Sequence, residues 1–468
     1  MQDFDIFQCG NMVTNQTAIL RDSRDGKTYS IVKMADGNCW MNQNLRLGTP
    51  GQSITLTSAD SDVTSNYTIN SSDIQTIDGV DWSADIDVTH VYSFAENSDV
   101  SDDNKITYGN LYNWYTATAS TGTTSVIDGA DAPSSICPKG WKLPPNVSND
   151  SYANLIQTQI PGIPTSDINI NYTDQFQQAP LNLVLSGAYV SSNTLAQGIY
   201  GSYWSRTSHS IDDQAMGSTF NNVSGDFYLY NNRHKHNGLA VRCVLPATMQ
   251  GVTNATVANA TDGVTTTLKD YRDGQDYTVA KINGNLWMTR NLAIGCNGSG
   301  STYGNTVSSK SLTDADSNVS SAWSTPTELL SNSELNEYAN GYTTATIQCG
   351  STYGAWYNYV AATTGVITGN SNSTDAVYDI CPKNWRLFTQ YELNELISSI
   401  GSTPSMFGPV LGGFYFKGSI NAASSVGGWW TATSSNNSFR KSMRYNGSNL
   451  STSGDDRIAG LYVRCIHS

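Results

Sequence analysis

Eight cysteines carry the clearest chemistry in this 468-residue chain. Thiols in that number suit an oxidising compartment, where disulfides persist. The count alone pairs nothing, because eight cysteines allow far too many connectivities. The short brackets that hold them do better. One bracket opens with Cys137-Pro138-Lys139-Gly140-Trp141-Lys142-Leu143-Pro144 and closes with Gly238-Leu239-Ala240-Val241-Arg242-Cys243. The other opens with Cys381-Pro382-Lys383-Asn384-Trp385-Arg386-Leu387 and closes with Gly460-Leu461-Tyr462-Val463-Arg464-Cys465. Cys137 with Cys243 and Cys381 with Cys465 thus hold equivalent places, which predicts these two bonds. Cys9 with Cys39 and Cys296 with Cys349 are each local to one half and form the remaining expected pairs. No thiol is then left for redox work.

Other reactive groups are sparse. His234-Lys235-His236 could hold a metal from a strand edge, but a solvated loop explains it better. Asp60 and Asp62, and Asp314, Asp316 and Asn318, form near-equivalent oxygen-rich turns that could take calcium, the only cofactor suggested. They lack the glycine and terminal glutamate of a helix–loop–helix calcium site, so Asp-capped turns are the plainer reading. No His-Glu-x-x-His, Gly-x-Ser-x-Gly or phosphate-binding loop occurs, and no catalysis is expected.

Binding is a better prospect. Tyr203-Trp204 and Trp429-Trp430 are expected on strands, where neighbours face opposite sides, so one of each pair belongs in the core and the other can reach the surface, burial of both being the alternative. The stretches Asn221–Asn237 and Ser434–Arg457 mix Tyr, Asn, Ser, Gly and Arg, which is paratope-like composition. The candidate ligand-binding residues are therefore Tyr203, Arg206 and His209 in the first half. In the second they are Trp429, Asn436, Asn437, Phe439, Arg440, Asp455 and Arg457, expected to form one exposed patch.

The elements that must position these residues occur twice. Asp22-Ser23-Arg24-Asp25-Gly26-Lys27-Thr28-Tyr29 matches Asp270-Tyr271-Arg272-Asp273-Gly274-Gln275-Asp276-Tyr277. Trp40-Met41-Asn42-Gln43-Asn44-Leu45 matches Trp287-Met288-Thr289-Arg290-Asn291-Leu292. Thr107-Tyr108-Gly109 with Tyr112-Asn113-Trp114 matches Thr352-Tyr353-Gly354 with Tyr357-Asn358-Tyr359. Matches in fixed order mark a duplicated domain. The boundary falls after Pro246, giving repeats over 1–246 and 247–468. Asp25-Gly26 and Asp273-Gly274 predict tight hairpins. Thr389-Gln390-Tyr391-Glu392 is a capping box ahead of Leu393, Leu396, Ile397 and Ile400 at helical spacing. Asn149 or Asp150 should cap the matching helix in repeat one. Strand-like segments follow at Leu181–Tyr189, Tyr203–Thr207, Phe227–Tyr230 and Leu239–Val244. Residues 49–106 and 296–351 read as long ordered loops. The expected class is α+β, with one helix per repeat and many short strands.

This ordered set, ending in Trp-[Ser/Thr]-x-Thr-Ser and Val-Arg-Cys, resembles the bacterial FISUMP major paralogous domain family along nearly the whole chain, twice. Asn384 stands where that pattern has Gly, Phe388 where it has Pro, and Tyr359 where it has Trp. The resemblance implies two tandem C-type lectin-like domains, related also to the formylglycine-generating-enzyme fold, in a secreted or surface protein. It supplies no agreed catalytic group.

Composition sets the outer limits. With a net charge of −14 and only 14% charged residues, the chain lacks the Lys/Arg that neutralise nucleic-acid phosphates. No apolar run reaches the length of a membrane helix. The start, Met1-Gln2-Asp3-Phe4-Asp5, carries no basic and apolar export signal, although the cysteines favour an extracellular or cell-surface location. The leading expectation is a non-catalytic surface binding or adhesion protein that recognises a glycan or a surface protein. The alternative is a structural subunit that meets copies of itself in an extracellular assembly. A sugar-active enzyme ranks third.

Overall fold

A computed structural model describes residues 4–467 except 77–90, 94–107, 123–128, 164–167, 170–172, 191–192, 196, 212, 223–225, 300–301, 326–344, 352, 366–373, 401–403, 417–418 and 436–438. The chain divides into two compact units, Met1–Pro246 and Ala247–Ser468.

The first unit starts with the hairpin that its Asp-Gly turn dictates: Thr17–Arg21 pairs antiparallel with Thr28–Lys33. Cys39–Met41 adds a third strand, and the distant Val244–Leu245 closes the four-stranded sheet beside Trp40. Both ends of the unit therefore meet at one sheet, which brings the Cys243 end of the bracket next to the Trp40 strand. A second sheet runs, in spatial order, Ile74–Thr76, Val91–Ser93, Leu111–Tyr112, Leu239–Ala240, Tyr200–Ser208, Gln214–Asn221, Asp226–His234 and Ile168–Asn169. Its inner face packs Tyr203, Phe220 and Phe227 against Trp40 and against Tyr152, Leu155 and Ile156 of the Tyr152–Gln159 helix.

The second unit repeats the plan. Thr265–Lys269, Asp276–Ile282 and Asn285–Met288 form a meander that Cys465–His467 joins at Trp287, with Arg386–Leu387 at the edge. Gly427–Ser434, Phe439–Tyr445 and Leu450–Asp456 form a separate three-stranded sheet. The Gln390–Ile400 helix buries Leu393, Leu396 and Ile400 in a core with Trp287, Phe388, Phe407, Trp429 and Met443. Its start is the predicted capping box: Thr389 Oγ1 accepts from Glu392 N at 3.2 Å, and the Glu392 carboxylate accepts from Thr389 N at 2.8 Å.

Several expectations are corrected. The fold is mostly β-sheet, divided among several small sheets and stapled by four disulfides; it is not an α+β pair of C-type lectin-like domains. One helix per repeat is also wrong. Seven α-helices of 4 to 11 residues occur among the described residues, four in the first unit and three in the second. The helices are short, and strand pairing carries the architecture. The helix at Tyr152 is capped by Ser151, whose side chain accepts from Asn154 N, because Asp150 is taken by Lys142 at 2.5 Å. Residues 49–106 contain strands Ile54–Leu56, Tyr67–Ile69, Ile74–Thr76 and Val91–Ser93 where only loop was expected. No helix among the described residues is long and apolar enough to cross a membrane.

Candidate functional site

The shared motifs turn inward and bond to one another. In the first unit Arg242 Nε donates to Asn44 Oδ1 at 2.9 Å, and Asn44 Nδ2 donates to Tyr108 O at 2.8 Å. In the second, Arg464 Nε donates to Asn291 Oδ1 at 2.6 Å, and Asn291 Nδ2 to Tyr353 O at 2.8 Å. Arg24 pairs with Asp22 and reaches Ile136 O at 2.6 Å, next to Cys137; Arg272 pairs with Asp270 and reaches Ile380 O at 2.6 Å, next to Cys381. The brackets close as disulfides: Cys137–Cys243 and Cys381–Cys465 both have Cα atoms 5.8 Å apart. Cys9–Cys39 and Cys296–Cys349 are bonded too, and no free cysteine remains. These residues build the scaffold.

The three departures from the shared pattern keep its physics. Asn384 adopts φ 67°, the left-handed turn Gly140 makes at φ 84°, and Asn is among the residues that tolerate it. Trp114 Nε1 donates to Ser205 O and Tyr359 OH to Ala432 O, both at 2.8 Å, so a buried donor is retained. Phe388 fills core space 5.4 Å from the Trp287 ring.

The expected binding patch does not form. Tyr203 and Trp429 are both buried, and so are their partners Trp204 and Trp430, because each strand is covered on both faces. Tyr203 packs on Tyr152 and bonds Val184 O at 2.9 Å; Trp429 Nε1 donates to Asn291 Oδ1 at 2.7 Å. Trp430 lies against Tyr359 on the opposite side. Arg440 is buried over the Tyr359 ring, 5.0 Å from its centre, and Arg457 is buried as well. Asp455 is held by Arg444 and Ser442. Phe439 is 38% exposed, and Asn436 and Asn437 lie outside the described residues. Arg206 spends its guanidinium on Ala132 O. His209 alone of the first-half candidates opens into a cavity.

The calcium candidates are turn caps. Asp60 accepts from Thr57 N at 2.9 Å and Ser61 Oγ at 2.7 Å; Asp316 accepts from Thr313 N at 3.0 Å and Ser317 Oγ at 2.7 Å. Asp314 is exposed, while Asp62 and Asn318 bond Ser135 and Asp379. His234 and His236 stack with ring centres 5.2 Å apart, and His234 Nδ1 meets Asp213 Oδ2 at 2.7 Å. Among the described residues no three metal-ligating side chains gather.

The cavity beside His209 is an open cleft of about 790 Å³ at one end of the first unit's large sheet, within the size range of small-ligand sites. The end of the Tyr200–Ser208 strand supplies Thr207, Ser208 and His209, the neighbouring strand Met216, and two loops Asp131 and Asn146 with Val147. A bridge between Asp131 and Thr207 fixes the first loop, and Asp131 Oδ1 accepts from Thr207 Oγ1 at 2.5 Å. Asn146 N donates to the same Thr207 oxygen at 2.8 Å, which fixes the second. His209 Nδ1 accepts from Ile211 N at 3.2 Å, so in the neutral ring Nε2 carries the proton and is a donor. Ser208 Oγ is buried in the wall without a partner. Sequence reasoning reached His209 but missed Asp131, Asn146, Ser208 and Met216. Repeat alignment was the available signal, since Asp131 and Asp375 precede equivalent bracket cysteines.

Residues 32–245 match the family model described as the Fibrobacter succinogenes major domain. That span holds every shared motif of the first unit from the Trp40 strand to Cys243. No curated protein and no solved structure matches the chain.

Proposed function

We propose that the chain is a secreted, non-catalytic binding protein of a bacterial surface, and that the first unit's cleft receives its ligand. The observation that carries this reading is the division of labour in the first unit. The shared motif residues are bonded inward under two disulfides, and the cleft at the sheet end keeps polar groups uncommitted. Rigid scaffolds with polar end loops are the usual arrangement for recognition. Four disulfides support an oxidising compartment, and the match to the major-domain family supports a surface setting.

The cleft brings Ser, His and Asp together, yet it is a poor hydrolase. Ser208 Oγ has no partner among the described residues, His209 Nδ1 accepts from Ile211 N, and Asp131 bonds Thr207 instead of the imidazole. A nucleophile needs its base within hydrogen-bond reach.

The test is surface biotinylation and fractionation of native cells, followed by binding of the purified full chain to isolated cell envelopes and extracellular polysaccharide. Surface labelling with saturable retention is expected. Recovery from the cytosol with reduced cysteines would overturn the reading. Self-assembly in native extract without any retention would favour the structural-subunit alternative.

A further inference from the structure

The two units disagree at one equivalent position, and the disagreement lies in the cleft wall. In the second unit Ser434 and Thr374 close on each other: the hydroxyls are 3.2 Å apart, Ser434 N donates to Thr374 O at 3.0 Å, and Thr374 N donates to Ser434 Oγ at 3.3 Å. The first unit keeps the backbone half of this arrangement, with Ser208 N donating to Ala130 O at 2.9 Å. The neighbouring bridges confirm the register, Asp131 to Thr207 and Asp375 to Thr433. Alanine, however, replaces threonine. Ser208 Oγ therefore loses the hydroxyl that its counterpart has, and it stays buried without a partner in the cleft wall. An orphaned buried hydroxyl costs about 1–3 kcal/mol unless something completes it.

We propose that this cleft is a seat for an uncharged, hydroxyl-rich ligand, one sugar residue at a chain end or branch, and that Ser208 is part of its polar floor. The proposal rests on the reading of the chain as a binding protein and names the ligand class. Four polar groups define the chemistry. Asp131 Oδ2 can accept, since the bond from Thr207 uses Oδ1. The Asn146 side-chain amide can both donate and accept. His209 Nε2 donates, and Ser208 Oγ does either. Adjacent hydroxyls of a sugar present a donor and an acceptor on each oxygen, which suits such a mixed set. Met216 and the exposed Val147 add an apolar strip for the C–H face of a ring. Among the described residues no lysine or arginine lines the cleft, so an anion would face the Asp131 carboxylate uncompensated.

The experiment is saturation-transfer NMR on the native full chain with methyl glucoside, galactoside, mannoside and xyloside, and with ethanolamine and inorganic phosphate as charged controls. At least one glycoside should give a saturable signal, and the controls none. Ala130→Thr installs the second unit's hydroxyl, completes Ser208 and fills the wall; it should weaken that glycoside at least tenfold. Asn146→Ala keeps the backbone bond to Thr207 and should do the same, with unchanged melting temperature in both variants. Thr374→Ala should leave binding unchanged. No glycoside signal, a signal that survives Ala130→Thr with Asn146→Ala, or binding of ethanolamine or phosphate alone would overturn the proposal. Retention on cell envelopes that persists when no glycoside binds would sink the ligand class and leave the surface reading standing. A glycoside signal from a cytosolic protein would sink the surface reading alone.

Discussion

Ser135 donates its hydroxyl hydrogen to Asp62 at 2.6 Å, and the second unit holds the same seat with the roles exchanged. There Asp379 stands in the place of Ser135, and Asn318, in the place of Asp62, donates to it at 3.0 Å. Either way one carboxylate, half-buried Asp62 or fully buried Asp379, packs against the cysteine bracket. Ser135 Oγ accepts from Leu143 N at 3.1 Å; Asp379 accepts from Cys381 N at 2.9 Å and Leu387 N at 2.8 Å. Two residues that looked like half of a calcium turn thus prove to be half of a bracket lock.

That lock predicts a pH response. Burial raises Asp379 to about 7 and Asp62 to about 6, and it likewise raises Asp36 and Asp273 to about 6. A carboxylate with a raised folded pKa opposes folding when ionised, so stability is gained as pH falls from about 7 toward the unfolded value of about 4. His467 and His236, both lowered by burial, work the other way as pH falls below about 6.5. Four carboxylates outweigh two histidines. The melting temperature should rise by about 5 °C between about pH 8 and about pH 5, and Asp379→Asn should flatten the slope. Calorimetry across that range checks both; a steady fall in melting temperature would contradict the assignment.

Arg464 is buried without a carboxylate. It bonds Asn291, Phe407 O and Gly408 O and stacks 4.3 Å from the Phe407 ring centre and 5.1 Å from that of Trp429. Lysine lacks the planar fork that serves three acceptors at once. Arg464→Lys should therefore destabilise by about 2–4 kcal/mol. Because Asn291 serves Arg464, Trp429 and Tyr353, the effects of Asn291→Ala and Arg464→Lys should be non-additive in a double-mutant cycle read by thermal unfolding.

Gly109 has φ 71°, and a Cβ there would lie 2.6 Å from Asn44 Cβ and 2.8 Å from Leu45 O. Gly109→Ala combines backbone strain with a clash against the residue that bonds Arg242. A loss of at least about 2 kcal/mol is expected in denaturant unfolding of the full chain. Gly26→Ala is the comparison. Its φ is 74°, but nothing lies within 4 Å, so strain acts alone and the loss should be smaller.

Cys137 and Cys243 are 106 residues apart, so their bond constrains the unfolded chain strongly. Cys137→Ser with Cys243→Ser should cost about 2–5 kcal/mol. The readout is the melting temperature under non-reducing conditions, against the Cys9→Ser and Cys39→Ser pair. That pair spans only 30 residues and should cost less.

The amino-acid sequence by itself determined what depends on local spacing and on repetition. The Asp25-Gly26 turn makes its hairpin, Thr389 and Glu392 cap their helix, and the equivalent brackets pair their cysteines, since each is settled by neighbours or by a second copy. Fold class was not legible, because short segments such as Ile74–Thr76 and Val91–Ser93 become strands only when another edge offers hydrogen bonds. Of the cleft, only His209 was legible. Composition marks Trp429, Arg440 and Arg457 as good contact residues, but the packing of both strand faces and the bonding of each guanidinium decide that they are interior. Conversely Asp131, Asn146 and Ser208 are ordinary loop and strand residues in the sequence. They become a cleft because one bridge and one shared hydroxyl bring two loops to a strand end, and because Ala130 leaves unfilled the place that Thr374 fills in the second unit.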